Sequence, residues 1–229
     1  MATRVWLALC IFALTLGAQT TTTRRSTVRA TADATISATP DQAIISVGVE
    51  TRAATAQDAA AQNAVQTQAV LDALRKQLGA NADIKTTNYT VSPLYNYPPN
   101  ASPVLTGYMV TNTVEVTLSN IASAGPVIDA ATQAGANQIN GLTFTLKDPE
   151  PIRAQALRQA AVKARGHAEA MISGLSGHLG TLISVEEAGA VRIYSALSTN
   201  GAGDAKATPI QPGSVQVYAS VTVEYEIAQ

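Results

Sequence analysis

Few residues in this chain are equipped for chemistry. It has two histidines, His167 and His178, and one cysteine, Cys10. His178 follows Ser176-Gly177, which pairs a hydroxyl with an imidazole in sequence. A serine nucleophile needs a strained strand-to-helix turn, and no G-x-S-x-G occurs in the chain. Gly174-Leu175-Ser176-Gly177 reads instead as the end of a helix. A metal site needs convergent ligands, and no histidine pair or carboxylate cluster has helical ligand spacing. Asp41, directly after Pro40, has the position of a turn residue rather than of an acid catalyst. Gly201 to Asp204 (GAGD) is too weak a pattern to hold phosphate or Ca²⁺. The expectation is therefore no catalytic residue, no cofactor and no metal ligand, with hydrolysis as a minor alternative.

The stretch DPEPIRAQALRQAAVKARGHAEAM (148–171), rich in Arg, Lys and Ala, raises a nucleic-acid reading. The whole chain carries a net charge of -1, so it has no basic excess to neutralise phosphates. Asp148 is the expected cap, Pro149 the first helical residue, and Glu150 suits the first turn. Ala154, Leu157, Ala161, Ala164, Ala168, Met171 and Leu175 recur at steps of three and four and predict the inner stripe. Arg158, Arg165 and Glu169 fall on the other side, Arg165 and Glu169 at the spacing of an ion pair. His167 is expected on the surface of this helix.

The aromatics offer a different kind of site. Pro93 to Pro103 (PLYNYPPNASP) holds four prolines, which donate no ladder hydrogen bonds, so a loop is expected there. Tyr95 and Tyr97 in a proline-stiffened loop suit contact with another surface, because little entropy is lost on ordering. The alternative is a loop folding back on its own domain. Asn88-Tyr89-Thr90 and Asn100-Ala101-Ser102 match the glycosylation pattern.

The elements around these residues follow from periodicity. Val28, Ala30, Ala32, Ala34 and Ile36 alternate on one face of a strand, and Ile45, Val47 and Val49 on one face of the next. Thr55 caps a helix, with Asp58 in its first turn, Ala60, Ala64, Leu71, Leu74 and Leu78 as its inner stripe and Gly79 as its stop. A strand of mixed pattern runs from Ile84 to Val91. Val110, Val114, Val116 and Leu118 alternate with threonines and Glu115. A second helix is expected from Gly125-Pro126 to Ala134, followed by a strand marked by Leu142, Phe144 and Leu146. A short strand covers Leu182 to Glu187. A Gly/Ser/Asn/Pro-rich excursion spans Val191 to Gly213. The last strand points Val215, Val217, Ala219, Val221, Val223, Tyr225 and Ile227 inward, and Gln216, Ser220, Thr222, Glu224 and Glu226 outward. From Ala43 to Leu146 the order is βαββαβ, the split-βαβ order of a ferredoxin-like layer. The predicted class is α+β: a mainly antiparallel sheet with helices packed on one face.

At 229 residues, with 14% charged and 46% hydrophobic residues, the chain is long enough for one sizeable core. Its first residues, MATRVWLALCIFALTLGA, have a basic start, an apolar run from Val5 to Leu16 and small residues for cleavage after Ala18, as a secretory signal peptide does. The run is short for a membrane-spanning helix, although an uncleaved anchor is the alternative. Cys10 follows Leu9, where lipid attachment wants a small residue. Cleavage removes Cys10 and Arg4, leaving 14 basic against 16 acidic residues, a net of -2. The expected plan is a signal peptide over 1–18, a polar tether over 19–27 and one domain over 28–229.

The sequence resembles the SIMPL-domain family of bacterial envelope proteins, which includes periplasmic immunogenic proteins. The resemblance lies in ATADATISATPDQAIISVGVET (30–51), GYMVTNTVEVTL (107–118), AGANQINGLTFTL (134–146), RAQALRQAAVKARGHAEAM (153–171) and TPIQPGSVQVYASVTVEYEI (208–227). Each is a plain strand, turn or helix pattern; their order and spacing over nearly the whole mature chain carry the match. It implies an α+β fold, secretion to the periplasm or cell envelope, and a tendency to self-associate, with no agreed biochemical activity. Two functional readings follow. One is a non-enzymatic envelope protein that forms homo-oligomers and acts through interaction, in envelope or oxidative stress protection, with no nucleic acid and no stable transmembrane span after cleavage. The other is a periplasmic binding module for a small molecule or peptide.

Overall fold

The computed structural model describes residues 26–188, the backbone of Arg192–Ser195, Thr208, Ile210 and residues 211–228. The expected signal peptide, nearly all of the tether and the GAGD stretch lie outside the described residues, as does most of the Val191–Gly213 excursion. The elements in chain order are β1 (Thr27–Ala38), β2 (Gln42–Ala53), α1 (Ala56–Leu78), β3 (Asp83–Asn96), β4 (Val104–Leu118), α2 (Ala124–Gln133), β5 (Gln138–Thr145), α3 (Glu150–Ser173), β6 (His178–Glu187), β7 (Arg192–Ser195) and β8 (Val215–Ala228).

These strands form two four-stranded sheets, and every pairing is antiparallel. The first has the order β3-β4-β2-β5. Each of its helices joins two strands that have another strand between them: β4 lies between the strands α1 connects, and β2 between those α2 connects. The second sheet has β8 at its centre, with β1 along one side and β6 and β7 along the other, β6 opposite Val221–Ala228 and β7 opposite Val215–Tyr218. The chain is therefore α+β, with helices on one face of each sheet.

Burial explains both layers. Ile45, Val47, Val49, Val114 and Val116 of the first sheet pack under Val70 and Leu74 of α1 and Val127 and Ala131 of α2. Val28, Ala30, Ala32, Ala34, Val221 and Val223 of the second pack under α3. A smaller apolar group, Leu146 with Val215 and Val217, is joined by Ile152 at the start of α3. Thr208 fastens the segment before β8 to α2: its hydroxyl and its amide bond Asp129 at 2.7 and 3.2 Å. That segment runs so close to α2 that a Cβ on Gly125 would stand 2.5 Å from the Thr208 carbonyl oxygen.

The inner stripes of both long helices are offset from the expected ones. In α1 the buried positions are Ala59, Asn63, Thr67, Val70 and Leu74, while Ala64 is exposed and Leu71 and Leu78 are half-buried. Two polar residues occupy the stripe because they have partners. The Asn63 amide donates to the Val49 and Val110 carbonyls at 2.9 and 3.2 Å, and the Thr67 hydroxyl donates to Asn63 Oδ1. In α3 the buried positions are Ala156, Ala160, Ala164, Ala168 and Ile172, a ridge with four-residue period that runs inclined to the helix axis. Four small alanines bring the helix close to the sheet. Leu157 and Ala161 are partly buried and flank the ridge, and Met171 and Leu175 are exposed. The helix starts at Glu150, one residue beyond the expected start, and Asp148 Oδ1 accepts from the Glu150 amide at 3.1 Å.

Thr55 caps α1 as expected: its side chain accepts from the Asp58 amide at 3.1 Å, and Gly79 ends the helix at φ 93°. Asp41 holds a turn together, accepting from the Lys147 amide at 2.7 Å. In β8, Ser220 and Thr222 are buried although they face away from α3, since neighbouring strands flank them on both sides and the Thr222 hydroxyl lies 2.8 Å from that of Thr31.

Candidate interaction surface

The expected loop at Pro93 to Pro103 is instead mostly strand. β3 continues through Pro93 to Asn96 and pairs with β4, Pro93 opposite Tyr108 and Asn96 opposite Val104. The reason is position: β3 is the edge of its sheet, and an edge strand tolerates a residue without an N–H on its outer side. The turn is confined to Tyr97–Pro103. Tyr95 thus stands in β3 opposite Leu105, and Tyr97 just beyond its end. The structure brings the two rings together, centroids 6.5 Å apart at a tilted 53°, within the range of aromatic pairs.

This hairpin extends past the rest of its sheet. β2 ends at Ala53 opposite Tyr108, so among the described residues Val104–Gly107 of β4 pair only with β3. Gly107 makes the departure possible, because a Cβ there would lie 2.7 Å from the Ala53 carbonyl oxygen. Beyond that point the Thr106 hydroxyl braces the ribbon by donating to the Leu94 carbonyl at 3.0 Å.

The ribbon is apolar and exposed. Tyr97 is 72% exposed and Val104 55%, and Tyr89, Val91, Tyr95 and Leu105 are also open. Val91 faces the same side as Val110, its opposite residue, which is fully buried. From Thr86 to Val114 the sequence has no charged residue. Sequence reading found Tyr95 and Tyr97 but missed Tyr89 and Val91, which lie in a strand whose mixed pattern marked no face, and Val104 and Leu105, because the loop expected over Pro93 to Pro103 hid the register that pairs them with β3. The signal that was available is the length of the uncharged run.

The other sheet edges differ from β3. β6 exposes Leu182, Ile183 and Val185, but its pairing shifts twice, between Leu179 and Leu182 and between Leu182 and Ser184, and such irregularities bend an edge away from regular pairing. β5 is short and shifts register opposite Ser46/Val47. Its ladder is completed by the Asn137 side chain, which bonds both the amide and the carbonyl of Glu50 at 2.8 Å. β3 has register shifts at both ends but keeps an unbroken run from Asn88 to Leu94 opposite Thr113 to Gly107.

The polar residues weighed in the sequence take structural places. Arg165 pairs with Glu169 at 2.8 Å, and Arg153 pairs with Glu187 at 2.9 Å and Glu150 at 3.2 Å, tying the first turn of α3 to the end of β6. Hydrogen bonds donated to Glu187 and then to Glu150 raise the Arg153 pKa, and the bond donated to Glu169 raises that of Arg165. These are ion pairs of cations that stay charged. His167 lies on α3 with Nδ1 3.2 Å from the Thr31 carbonyl oxygen, and His178 opens β6 opposite Ala228. Among the described residues no three His, Cys, Asp or Glu side chains are grouped to hold a metal ion, and no helix is long and apolar enough to cross a membrane.

Kinship agrees with this architecture. The model of the SIMPL family, described as a protein of unknown function (DUF541), matches residues 28–225. The chain belongs to the SIMPL family. It is 26% identical over 216 residues to a 26 kDa periplasmic immunogenic protein of Brucella melitensis, covering 90% of this chain and 86% of that one. It is 29% identical over 152 residues to the uncharacterized protein YggE of Escherichia coli, covering 66% of this chain and 61% of YggE. With YggE of Edwardsiella ictaluri it shares 30% over 155 residues, 66% of this chain and 64% of the relative. That kinship places the SIMPL chain in the periplasm or cell envelope.

Proposed function

We propose that this SIMPL protein is a non-enzymatic envelope protein that acts by binding copies of itself through the outer edge of the β3–β4 hairpin. The observation that carries the reading is the regular, uncharged and apolar edge from Asn88 to Leu94, continued by Tyr95 and Tyr97. An edge strand offers unpaired N–H and C=O groups to any second strand, and proteins usually defend such edges with charges, prolines or bulges. Pro93 is the sole such device inside the regular run, and one proline leaves the neighbouring groups available. Two copies of one edge can meet about a two-fold axis, which makes the contact self-complementary and closed. The residue chemistry supports a non-enzymatic role, since the histidines and ion pairs are engaged in turns, helix faces and strand ends.

Export through a signal peptide cleaved after Ala18 belongs to the same reading. With Cys10 inside that peptide, a protective role in envelope or oxidative stress runs through assembly and not through a thiol of the mature chain. Light scattering on residues 19–229 across a concentration series tests the assembly. A mass above that of one chain, with amide exchange along β3 slowing as mass rises, supports it. A single-chain mass at every concentration overturns it. Survival of a deletion strain under peroxide, compared with its complemented parent, tests the protective role.

A further inference from the structure

The outer edge of β1 is the counterpart of the β3 edge in the second sheet, and α3 reaches over it. The Ile227 amide donates to the Ser26 carbonyl at 2.9 Å, and the register runs without a shift from Thr27 opposite Glu226 to Ala38 opposite Val215. In such a ladder alternate residues turn their backbone groups to the partner strand and the others turn theirs away. Even-numbered residues of β1 therefore bond β8, and Arg29, Thr31, Asp33 and Thr35 direct N–H and C=O outward. Two of those outward carbonyls receive side chains from α3: Lys163 Nζ donates to the Asp33 oxygen at 3.2 Å, and His167 Nδ1 lies 3.2 Å from the Thr31 oxygen.

The spacing fits. Lys163 and His167 are four residues apart, about 6 Å along a helix, and Thr31 and Asp33 are two apart, about 6.6 Å along a strand. One helical turn thus matches one outward repeat of β1, and the alanine ridge at Ala160, Ala164 and Ala168 holds α3 close enough for both side chains to reach. An incoming strand would need those same carbonyls as acceptors, and would have to displace both donors.

We propose that Lys163 and His167 form a guard over the outer edge of β1 that prevents a second copy of this chain from adding a strand there. The guard leaves β3 as the open edge; it rests on the self-association reading for the identity of the partner. Its effect is read against the wild-type mass, whatever that mass is.

The test is Lys163→Ala/His167→Ala in residues 19–229, compared with wild type by sedimentation velocity and by hydrogen exchange resolved to Arg29, Thr31, Asp33 and Thr35. The variant is expected to form species heavier than wild type at equal concentration, with exchange at those outward amides slowed by about tenfold or more. Thr35→Pro, which removes one outward N–H without touching the β8 ladder, is expected to return the double variant to the wild-type mass. Equal masses for variant and wild type would overturn the guard. So would extra mass with unslowed β1 exchange, or extra mass that survives Thr35→Pro, which would mark general unfolding. A wild type of single-chain mass would overturn the β3 reading alone.

Discussion

Pro93 of β3 stands directly opposite Tyr108 of β4 in an antiparallel ladder. A proline fits that place because, among the described residues, β3 has a neighbour on one side only, and the missing N–H can fall on the open side. The edge should therefore accept a charge without loss of the fold. Val91→Lys is expected to change stability by less than about 0.5 kcal/mol, yet to weaken self-association by placing like charges together. Val110→Lys, across the ladder but fully buried, is expected to cost several kcal/mol by burying an unpaired charge. Urea unfolding of the two variants at low protein concentration checks the contrast, and equal midpoints would reject the assignment of β3 as an edge.

Asn63 joins α1 to two strands at once. Removing its amide in Asn63→Ala leaves the Val49 and Val110 carbonyls without that donor and opens a space under the helix. The expected loss is about 1–3 kcal/mol. Ala64→Gln, one residue along on the exposed face, is expected to be neutral within about 0.5 kcal/mol. Chemical denaturation distinguishes the two. If Ala64→Gln proves the more damaging, the stripe through Asn63 and Thr67 is not the buried one.

The alanine ridge of α3 has no room for larger side chains. Ala164→Leu is expected to cost about 1–3 kcal/mol through overpacking against β1 and β8. Met171→Ala, at an exposed site, should cost less than about 0.5 kcal/mol. Thermal melts of both variants check the ridge, and similar melting temperatures would contradict it.

Export can be read directly. N-terminal sequencing of the protein recovered from the envelope fraction is expected to begin near Gln19. A chain that retains Met1 in that fraction would favour an uncleaved anchor.

Much of this architecture was legible in the sequence, for identifiable reasons. Alternation placed Val28 to Ala34, Ile45 to Val49 and Val215 to Val223 on their buried faces, because strand side chains obey a period of two regardless of what lies beyond them. Caps at Thr55 and Gly79 were visible because they depend on local geometry. The helix stripes were misplaced where burial goes against hydrophobicity. Asn63 and Thr67 are buried through hydrogen bonds to strands far away in sequence, and the α3 ridge chose small alanines over Leu157 and Met171 to gain proximity to the sheet. The division into two sheets was not visible, since it rests on long-range pairings such as that of β1 with β8. The interaction surface was half visible: Tyr95 and Tyr97 stood out by type, but the strand that carries them was hidden by a proline whose tolerance depends on being at an edge.

Sedimentation velocity on residues 19–229, wild type against Tyr95→Ser/Tyr97→Ser, tests the central claim most directly. Both tyrosines are exposed and lie outside the core, so the double variant is expected to keep its melting temperature while its assembly weakens by about tenfold or more, as expected for losing two aromatic contacts at an interface. An unchanged oligomer in the double variant would contradict the role of the hairpin tip, and a wild type that sediments as a single chain throughout the micromolar range would contradict self-association through the β3 edge.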